Sequence, residues 1–265
     1  MIPAYAPAVR KLIHEVADNI MMPRFQQLAL DEIVEKMPGD LVTVIDRESE
    51  ARLTEGLLAI LPDSRVVGEE ATAADPSLLD RIGEGVVWIV DPLDGTANYA
   101  EGKWPFAIMV ALAIDGVTEA GFVYDPVKKR MCEAVAGVGA FVNGERITAR
   151  STGQPLPVGA LPNRFLTDEE RQDFERRMEG RFLPVPIPGC AGEQYPRLVL
   201  GENDVALFWR ALPWDHAPGA LFLTEAGGRI ARFDGTPYRV DDRRTGLIAA
   251  ASPALWDEAA KILVG

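Results

Sequence analysis

The chain has 265 residues, of which 48% are hydrophobic and 25% are charged, and its formal net charge is −13. This composition favours a soluble globular protein with one large core or two modest domains, and no apolar run reaches the roughly 18 residues of a membrane-spanning helix. A surface this acidic repels nucleic-acid phosphates, and the sequence has no basic patch to offset it, so neither a nucleic-acid nor a membrane partner is predicted.

The N-terminus and the cysteines are typical of a protein of the cytoplasm. The chain starts without the charged start, apolar centre and small-residue exit of a signal peptide. Its two cysteines, Cys132 and Cys190, form no CxxC pattern, so we expect a cytoplasmic protein without a disulfide framework. An anionic substrate would be repelled by the acidic surface, and a bound metal cation is one way to reverse the local charge.

The first third of the chain predicts two amphipathic helices. Apolar residues recur at the i, i+3, i+4 spacing of a helix from Val9 to Ile20. Thr43 and Asp46 form a capping box for a second helix, which Pro62 should end.

The middle of the chain predicts strands. Val86–Val90 is a short, wholly apolar run, as expected for a strand buried on both faces. Phe106–Ile114 is a second such run and ends at Asp115-Gly116, a strong hairpin signal, and Asn143-Gly144 is another. Short strands separated by turn residues follow, so we expect an antiparallel meander rather than a chain of βαβ units.

A change of composition at "STGQPLP", close to residue 150, indicates a seam. We therefore expect an N-terminal αβ lobe over residues 1–150 that carries most of the candidate metal ligands. A C-terminal αβ lobe over residues 151–265 would carry the wall of the substrate pocket. In this second lobe, Asp215 should open a helix that Gly227-Gly228 stops, and Ser252-Pro253 should start the last helix.

The stretch "DPLDGTANY" places two acids, Asp91 and Asp94, directly after the buried strand. A turn or a helix cap is the ordinary role of such acids. Here the end of a buried strand gives them a fixed platform. The Gly95-Thr96 step also lets the backbone approach a ligand closely and present N–H groups to an anion.

Further acids stand at the ends of other predicted elements. Glu69 and Glu70 follow the apolar run in "VVGEE", and Asp215 opens a predicted helix in "PWDHAPG". Each alone fits a solvated turn or a helix cap. Hard divalent cations take oxygen ligands from several chain segments, so the three acidic segments together predict a metal site.

These segments resemble the inositol monophosphatase family. Its pattern is a Gly-Glu turn with Glu69, the D-P-L-D-G-T block, and a W-D-x-A block followed by E-A-G-G, all present here in this order. "DLVTVIDRE" and "GVGAFVNGERI" extend the resemblance over essentially the whole chain. It implies the α+β, layered αβαβα fold shared with fructose-1,6-bisphosphatase. It also implies an Mg²⁺-dependent, Li⁺-sensitive phosphomonoesterase, most commonly a homodimer.

The resemblance also implies a set of metal ligands. By matching position, Glu69, Asp91 and the carbonyl of Leu93 would hold a first Mg²⁺. Asp91, Asp94 and Asp215 would hold a second, with Asp91 bridging the two ions. A third, weaker ion would use Glu69 and waters, giving two to three ions per site.

Catalytic roles carry over in the same way. Glu69, Thr96 and Asp46 match the positions that orient and deprotonate the attacking water, with Thr96 passing a hydrogen bond toward Asp46. Asp46 could instead serve only as the acid of the Thr43 capping box, and both roles can hold at once. The N–H groups of Gly95 and Thr96 would hold the phosphate. The implied substrate-contacting positions are Gly95, Thr96, Gly189, Cys190, Ala191 and Asp215.

One position departs from the family pattern. Inositol phosphatases carry a Glu seven residues before the Asp of the W-D block, where this chain has Phe208, which cannot accept a hydroxyl's proton.

The predicted substrate is a small phosphorylated metabolite of the inositol monophosphate type. Histidinol phosphate, a 3′(2′),5′-bisphosphate nucleotide and fructose 1,6-bisphosphate are alternatives within the class, and a regulatory binding protein is an alternative outside it. An aromatic Phe208 or Trp209 together with Arg210 would suit an aromatic or more anionic leaving group, or these side chains would pack at a dimer interface. His216 is interpreted as structural.

Overall fold

The computed structural model describes residues 3–28, 33–37, 40–160 and 166–264. In this part of the chain the α-helices are α1 (Ala6–Val16), α2 (Val44–Ile60), α3 (Glu69–Ala74), α4 (Thr96–Ala100), α5 (Asp168–Met178), α6 (Ala191–Val199), α7 (Pro213–Glu225) and α8 (Pro253–Leu263). The strands are β1 (Ile33–Met37), β2 (Asp40–Thr43), β3 (Arg65–Gly68), β4 (Val86–Asp94), β5 (Ala107–Ile114), β6 (Val117–Asp125), β7 (Arg130–Val135), β8 (Gly139–Val142), β9 (Glu145–Ile147), β10 (Val158–Ala160), β11 (Leu183–Val185), β12 (Val205–Phe208), β13 (Arg229–Arg232) and β14 (Leu247–Ala250).

The larger sheet contains the predicted meander. Among the described residues it has seven strands in the order β3-β4-β5-β6-β7-β8-β9. β3 pairs parallel with β4, and every later neighbour pairs antiparallel, which confirms the meander from β4 onward. Asp115-Gly116 and Asn143-Gly144 have positive φ at both residues, the conformation that tight hairpin turns require.

The smaller sheet mixes both pairing directions. Its described strands follow the order β11-β10-β12-β14-β13, with β10 parallel to both of its neighbours and β14 antiparallel to both of its own. The larger sheet falls within residues 65–147 and the smaller within 158–250. The assignment of these two sheets to two separate lobes stays a prediction.

Three layers of helices enclose the seven-stranded and the five-stranded sheet. α1 and α2 cover one face of the larger sheet through a core that includes Ile13, Leu53 and Trp88. α6 and α7 pack between the sheets around Tyr195 and Phe222, and α5 and α8 cover the outer face of the smaller sheet. The order of layers is therefore αβαβα, as expected. No described helix combines the length and the apolar character that crossing a bilayer requires.

Two local expectations need correction. The strand predicted at Val86–Val90 continues to Asp94, so both acids of the D-P-L-D block lie within β4 rather than after it. Asp215 does not open its helix, because α7 begins at Pro213 and Leu212 is its N-cap. Proline fits the first turn of a helix because its missing N–H is not needed there.

Candidate active site

The predicted ligands converge on one small cavity. The cavity has a volume of about 110 Å³ and lies where β4, α3, α4 and α7 meet. Its walls include the sequence-predicted residues Glu69, Asp91, Leu93, Asp94, Gly95, Thr96, Gly189 and Asp215, together with Leu41, Ala97 and Arg210. The structure thus brings together four acids from distant parts of the sequence. The first of them, Glu69, and the last, Asp215, are 146 positions apart.

An irregularity in β4 places its two acids at this cavity. Pairing with β5 is regular as far as Asp91 opposite Met109 and resumes at Asp94 opposite Ala107, so β4 carries one extra residue. Pro92 lies within this bulge, where its missing N–H removes no ladder hydrogen bond. Inside the bulge, the N–H of Leu93 donates to Asp91 Oδ1 at 3.0 Å.

Burial and the repulsion between the acids both disfavour negative charge in this cavity. Asp91 is 2% exposed, and its pKa is raised well above the ordinary value, first by burial and then by Glu69, Asp94 and Asp215. The pKa of Asp94 is also raised by burial, although hydrogen bonds from Cys190 and the start of α6 oppose the shift. A cation bound in this cavity would offset the cost of burying charged carboxylates and would also reduce the repulsion between them.

The donor set has the chemistry of a hard-cation site. It consists of carboxylates and one backbone carbonyl, which are the ligands that Mg²⁺ prefers. As the side chains stand, the described residues contain no group of three or more His, Cys, Asp or Glu arranged to hold a metal ion. Protein groups engage several of the oxygens instead: Asp94 Oδ2 accepts from the N–H of Gly192 at 2.6 Å, and Asp215 Oδ2 lies 3.7 Å from a guanidinium nitrogen of Arg210.

The start of α6 forms the wall behind Asp94. Cys190 is its N-cap residue, and the buried thiol donates to Asp94 Oδ2 at 2.9 Å. Burial and Asp94 raise the pKa of this thiol well above its usual value, so it stays protonated. It is therefore a wall residue and a hydrogen-bond donor, and not a thiolate nucleophile. The N–H groups of Ala191 and Gly192 also bond Asp94.

A buried network of ion pairs holds the first turn of α6 in place. Glu193 is 2% exposed and pairs with Arg130, with Arg197 at 3.0 Å and with Lys128 at 3.4 Å. Arg130 connects this helix to the hairpin between β6 and β7. The network therefore fixes the orientation of the N–H groups that face Asp94.

We expect Glu193→Ala to lower the free energy of unfolding by about 3 kcal/mol, since removing one partner of a buried ion pair leaves the other charge unsatisfied. Urea unfolding followed by circular dichroism measures this loss. The matched control is Glu202→Ala, because Glu202 reaches the same Arg197 at 3.9 Å from a side chain that is 52% exposed. Its expected loss is below about 1 kcal/mol. Equal losses in the two variants would contradict the anchoring role.

Asp46 takes part in a helix cap and also contacts Thr96, a residue that lines the cavity. The predicted capping box is confirmed: Thr43 Oγ1 accepts from the N–H of Ile45 at 3.1 Å, and the N–H of Thr43 donates to Asp46 Oδ2 at 2.7 Å. The other oxygen of Asp46 lies 3.0 Å from Thr96 Oγ1, which also lies 2.8 Å from the carbonyl of Leu93. A hydroxyl carries one hydrogen, so Thr96 donates to only one of these acceptors at a time.

Burial raises the pKa of Asp46 to about 6, despite the hydrogen bonds that it accepts from Thr43 and Thr96. Glu70 adds to this shift, and Asp91 is a second acid whose charge interacts with Asp46. Asp46 is therefore a carboxylate at neutral pH, with a proton affinity much higher than that of an exposed aspartate.

Sequence reasoning missed the acid that positions Glu69. Glu50 is buried on α2 and accepts hydrogen bonds from the N–H groups of Glu70 at 2.8 Å and Ala71 at 2.7 Å, which caps α3. A Cβ on Gly68 would overlap the Glu50 carboxylate, so a larger residue there would displace this cap. The available signal was spacing: Glu50 follows Asp46 by four residues and shares its helix face.

A second cavity of about 190 Å³ adjoins the first. The two share Asp94, Gly189, Arg210 and Asp215, and the second also contains Cys190, Ala191, Gln194, Phe208 and His216. Phe208 stacks on Tyr195 with the ring centroids 5.3 Å apart. Trp209 packs against Phe174 and Phe233, with centroids 6.1 Å away in each case.

His216 is a structural residue of this wall. It is buried, and burial lowers its pKa to about 4, so the ring is neutral. Its Nε2–H donates to the carbonyl of Arg210 at 3.0 Å, and its Nδ1 accepts from the hydroxyl of Tyr195 at 2.8 Å. These bonds fix the backbone of Arg210 next to Asp215.

Comparison with known proteins identifies the family. The family model described as "Inositol monophosphatase family" matches residues 5–264. The chain belongs to the inositol monophosphatase family. This family consists of phosphatases, and the chain is an enzyme of this type. The resemblance drawn from the D-P-L-D-G-T and W-D blocks is thereby confirmed.

Relatives within the inositol monophosphatase family carry different names. The inositol-1-monophosphatase of Bacillus subtilis is 28% identical over 93% of this chain and 91% of its own length. The Nus factor SuhB of Haemophilus influenzae is 30% identical over 93% of this chain and 91% of its own length. The solved structure of the Thermotoga maritima IMPase has a TM-score of 0.78 and 28% identity, and covers 96% of this chain and 94% of that one. The expected fold class is confirmed.

Proposed function

We propose that the protein is an Mg²⁺-dependent phosphomonoesterase that hydrolyses a small phosphorylated metabolite. The observation that carries the proposal is the oxygen-lined cavity, in which Asp91 is buried among three other acids that raise its pKa. Buried carboxylates that repel each other cost stability, and such clusters are found where a cation or a proton must be bound.

The proposed ligands of the metal are those named from the sequence. Glu69, Asp91 and the carbonyl of Leu93 would hold one Mg²⁺, and Asp94 and Asp215 would hold a second that shares Asp91. Two to three bound ions would supply the positive charge that neutralises the phosphate dianion and activates water for attack.

The remaining residues position the water and the phosphate. Thr96 lies between the cavity and Asp46, so a water bonded to Thr96 Oγ1 is linked through the hydroxyl to a buried carboxylate. The N–H groups of Gly95 and Thr96 would hold the phosphate. Gly95 has φ +86°, and a Cβ there would lie 2.8 Å from the carbonyl of Pro105, which supports the need for glycine in this close turn.

The proposed substrate is of the inositol monophosphate type. Histidinol phosphate, a 3′(2′),5′-bisphosphate nucleotide and fructose 1,6-bisphosphate are alternatives, because Phe208 occupies the position of a hydroxyl-binding Glu. We propose in addition that the enzyme is cytoplasmic and a homodimer, without a direct nucleic-acid or membrane partner.

Phosphate release from purified protein tests the proposal. Inositol 1-phosphate, histidinol phosphate, adenosine 3′,5′-bisphosphate, 2′-AMP and fructose 1,6-bisphosphate would each be assayed with Mg²⁺ and with EDTA. We expect release from at least one compound, dependent on Mg²⁺ and inhibited by Li⁺. Release that persists in EDTA would overturn the metal-dependent mechanism.

A regulatory binding role is the second candidate. It is supported by the 30% identity to the Nus factor SuhB of Haemophilus influenzae. Folded protein that releases phosphate from no compound of the panel, yet is retained on immobilised transcription complexes, would favour this candidate over the enzyme.

A further inference from the structure

We propose that Gln194 is a specificity-determining residue for the leaving group, and that the cavity of about 190 Å³ takes a planar nitrogen heteroaromatic ring. This inference rests on the proposed phosphomonoesterase function and names its substrate class: it selects an ester with a heteroaromatic ring, as in the first two alternatives given above, over the inositol monophosphate type that the family resemblance favours. It goes beyond that function because it assigns a role to a side chain outside the metal-binding acids.

The starting observation is a buried amide without partners. Gln194 lies on α6, is 2% exposed and forms part of the wall of the cavity. Among the described residues, neither its Oε1 nor its Nε2 has a hydrogen-bond partner. Buried side-chain amides are nearly always hydrogen-bonded, because leaving them unsatisfied costs free energy. Because Gln194 belongs to the wall of the cavity, a ligand bound there is placed to supply the missing partners.

The amide selects a particular kind of ligand edge. Its oxygen accepts and its nitrogen donates, side by side in one plane. The complementary edge carries an adjacent donor and acceptor, as in a heteroaromatic ring with an amino group next to a ring nitrogen. Glutamine reads the edge of adenine by this pair of bonds.

The other walls favour a flat ring over a polyol. Ile187, Leu207 and Phe208 contribute apolar surface, and Phe208 is itself held flat against Tyr195. An aromatic ring can place its face on this surface and its edge at Gln194. A cyclitol would leave hydroxyls unpaired against the same surface. A cavity of about 150 Å³ suffices to hold benzene, so the present one accommodates a single ring.

The cavity proposed for the ring adjoins the acid cavity in which the phosphate is proposed to bind. Asp94 and Asp215 line both cavities, so a substrate with its phosphate at the acids extends its leaving group directly toward Gln194.

A matched pair of substrates tests the assignment. Benzyl phosphate and (2-aminopyridinyl)methyl phosphate share a six-membered aromatic ring and the same linker. They differ by a ring nitrogen and one amino group, so only the second has an adjacent donor and acceptor. We expect the wild-type enzyme to prefer the aminopyridinyl ester by about 10-fold or more in kcat/KM, the discrimination typical of such a bidentate pair. Inositol 1-phosphate should be a poorer substrate than either.

The variant Gln194→Met keeps the shape of the side chain and removes the amide. It should abolish the preference, chiefly by raising KM for the aminopyridinyl ester, while kcat/KM for benzyl phosphate changes less than about twofold. A second readout does not depend on turnover. Because the variant removes an unsatisfied buried amide, the melting temperature of the metal-free protein should rise by a few degrees. A glutamine that only stabilised the fold would give a lower melting temperature.

The outcomes separate this inference from the proposed function. Hydrolysis of both esters without preference, or an equal loss on both in Gln194→Met, would overturn the role of Gln194 and leave the phosphatase proposal intact. Absence of hydrolysis with any ester would instead count against the phosphatase. Calorimetry with the two free alcohols would then decide the subsite: tighter binding of the aminopyridinyl alcohol, lost in Gln194→Met, supports it, and equal binding overturns it.

Discussion

Asp91→Asn is expected to lower Mg²⁺-dependent phosphate release by more than about 100-fold, the upper range for losses of groups that only support a metal site. Asp91 is the proposed bridge between two ions, and one oxygen of the carboxylate already accepts from the N–H of Leu93. The amide oxygen of asparagine can keep that bond, so the variant removes charge and metal ligation but not the local turn.

The same variant should be more stable than the wild type in the absence of metal. Burial together with Glu69, Asp94 and Asp215 raises the pKa of Asp91, so an ionised Asp91 opposes folding. Mg²⁺ should stabilise the wild type by about 2.7 kcal/mol at a concentration 100 times its Kd, and it should not stabilise Asp91→Asn. Thermal unfolding with and without Mg²⁺ measures both effects independently of the substrate.

Asp63→Asn is the control for this comparison, because Asp63 is an exposed acid that does not line the acid cavity. It should retain activity and the stabilisation by Mg²⁺. If Asp91→Asn also retained the full stabilisation by Mg²⁺, the proposed ligand set would be wrong.

The elements that the sequence predicts correctly are those with local signals. The Thr43–Asp46 capping box and the Asp115-Gly116 hairpin depend on residues at most three positions apart, and both are confirmed. The acids of the cavity could be predicted for a related reason. Each acidic segment lies at or close to the end of a regular element, and elements that pack together bring such ends to one place.

The features that escaped prediction depend on tertiary contacts. Glu50 caps a helix from another helix, and apart from its four-residue spacing from Asp46 its sequence context is that of an ordinary exposed acid on α2. Gln194 acquires its interest only from burial and from the absence of partners among the described residues, and neither property leaves a pattern in the sequence. The bulge between Asp91 and Asp94 is visible only in the pairing register with β5.

Asp46→Asn is expected to lower kcat by about 100-fold or more, the contribution typical of a group that assists proton transfer. Asparagine can still accept from the N–H of Thr43, so the helix cap survives. Its amide nitrogen would instead donate to Thr96 Oγ1, and the hydroxyl of Thr96 would turn to the carbonyl of Leu93, which lies 2.8 Å away. The water bonded to Thr96 would then lose its connection to a carboxylate.

The pH dependence distinguishes this role from capping alone. The wild-type rate should fall below about pH 6, where Asp46 takes up a proton, and the residual rate of Asp46→Asn should lack that step. A kcat in Asp46→Asn close to that of the wild type would limit Asp46 to the helix cap.

Asp46→Asn should be slower than the wild type but more stable against unfolding. Because the pKa of Asp46 is raised in the folded protein, its contribution to stability is present below the unfolded pKa near 4 and is lost as pH rises through about 6. The advantage of Asp46→Asn over the wild type should therefore grow across this interval, to about 3 kcal/mol at most. Urea unfolding at pH 4.5 and pH 7.5 measures it. A variant that is more stable and yet slower at neutral pH identifies a carboxylate that is kept buried for its chemistry, since the helix cap alone would be served as well by asparagine.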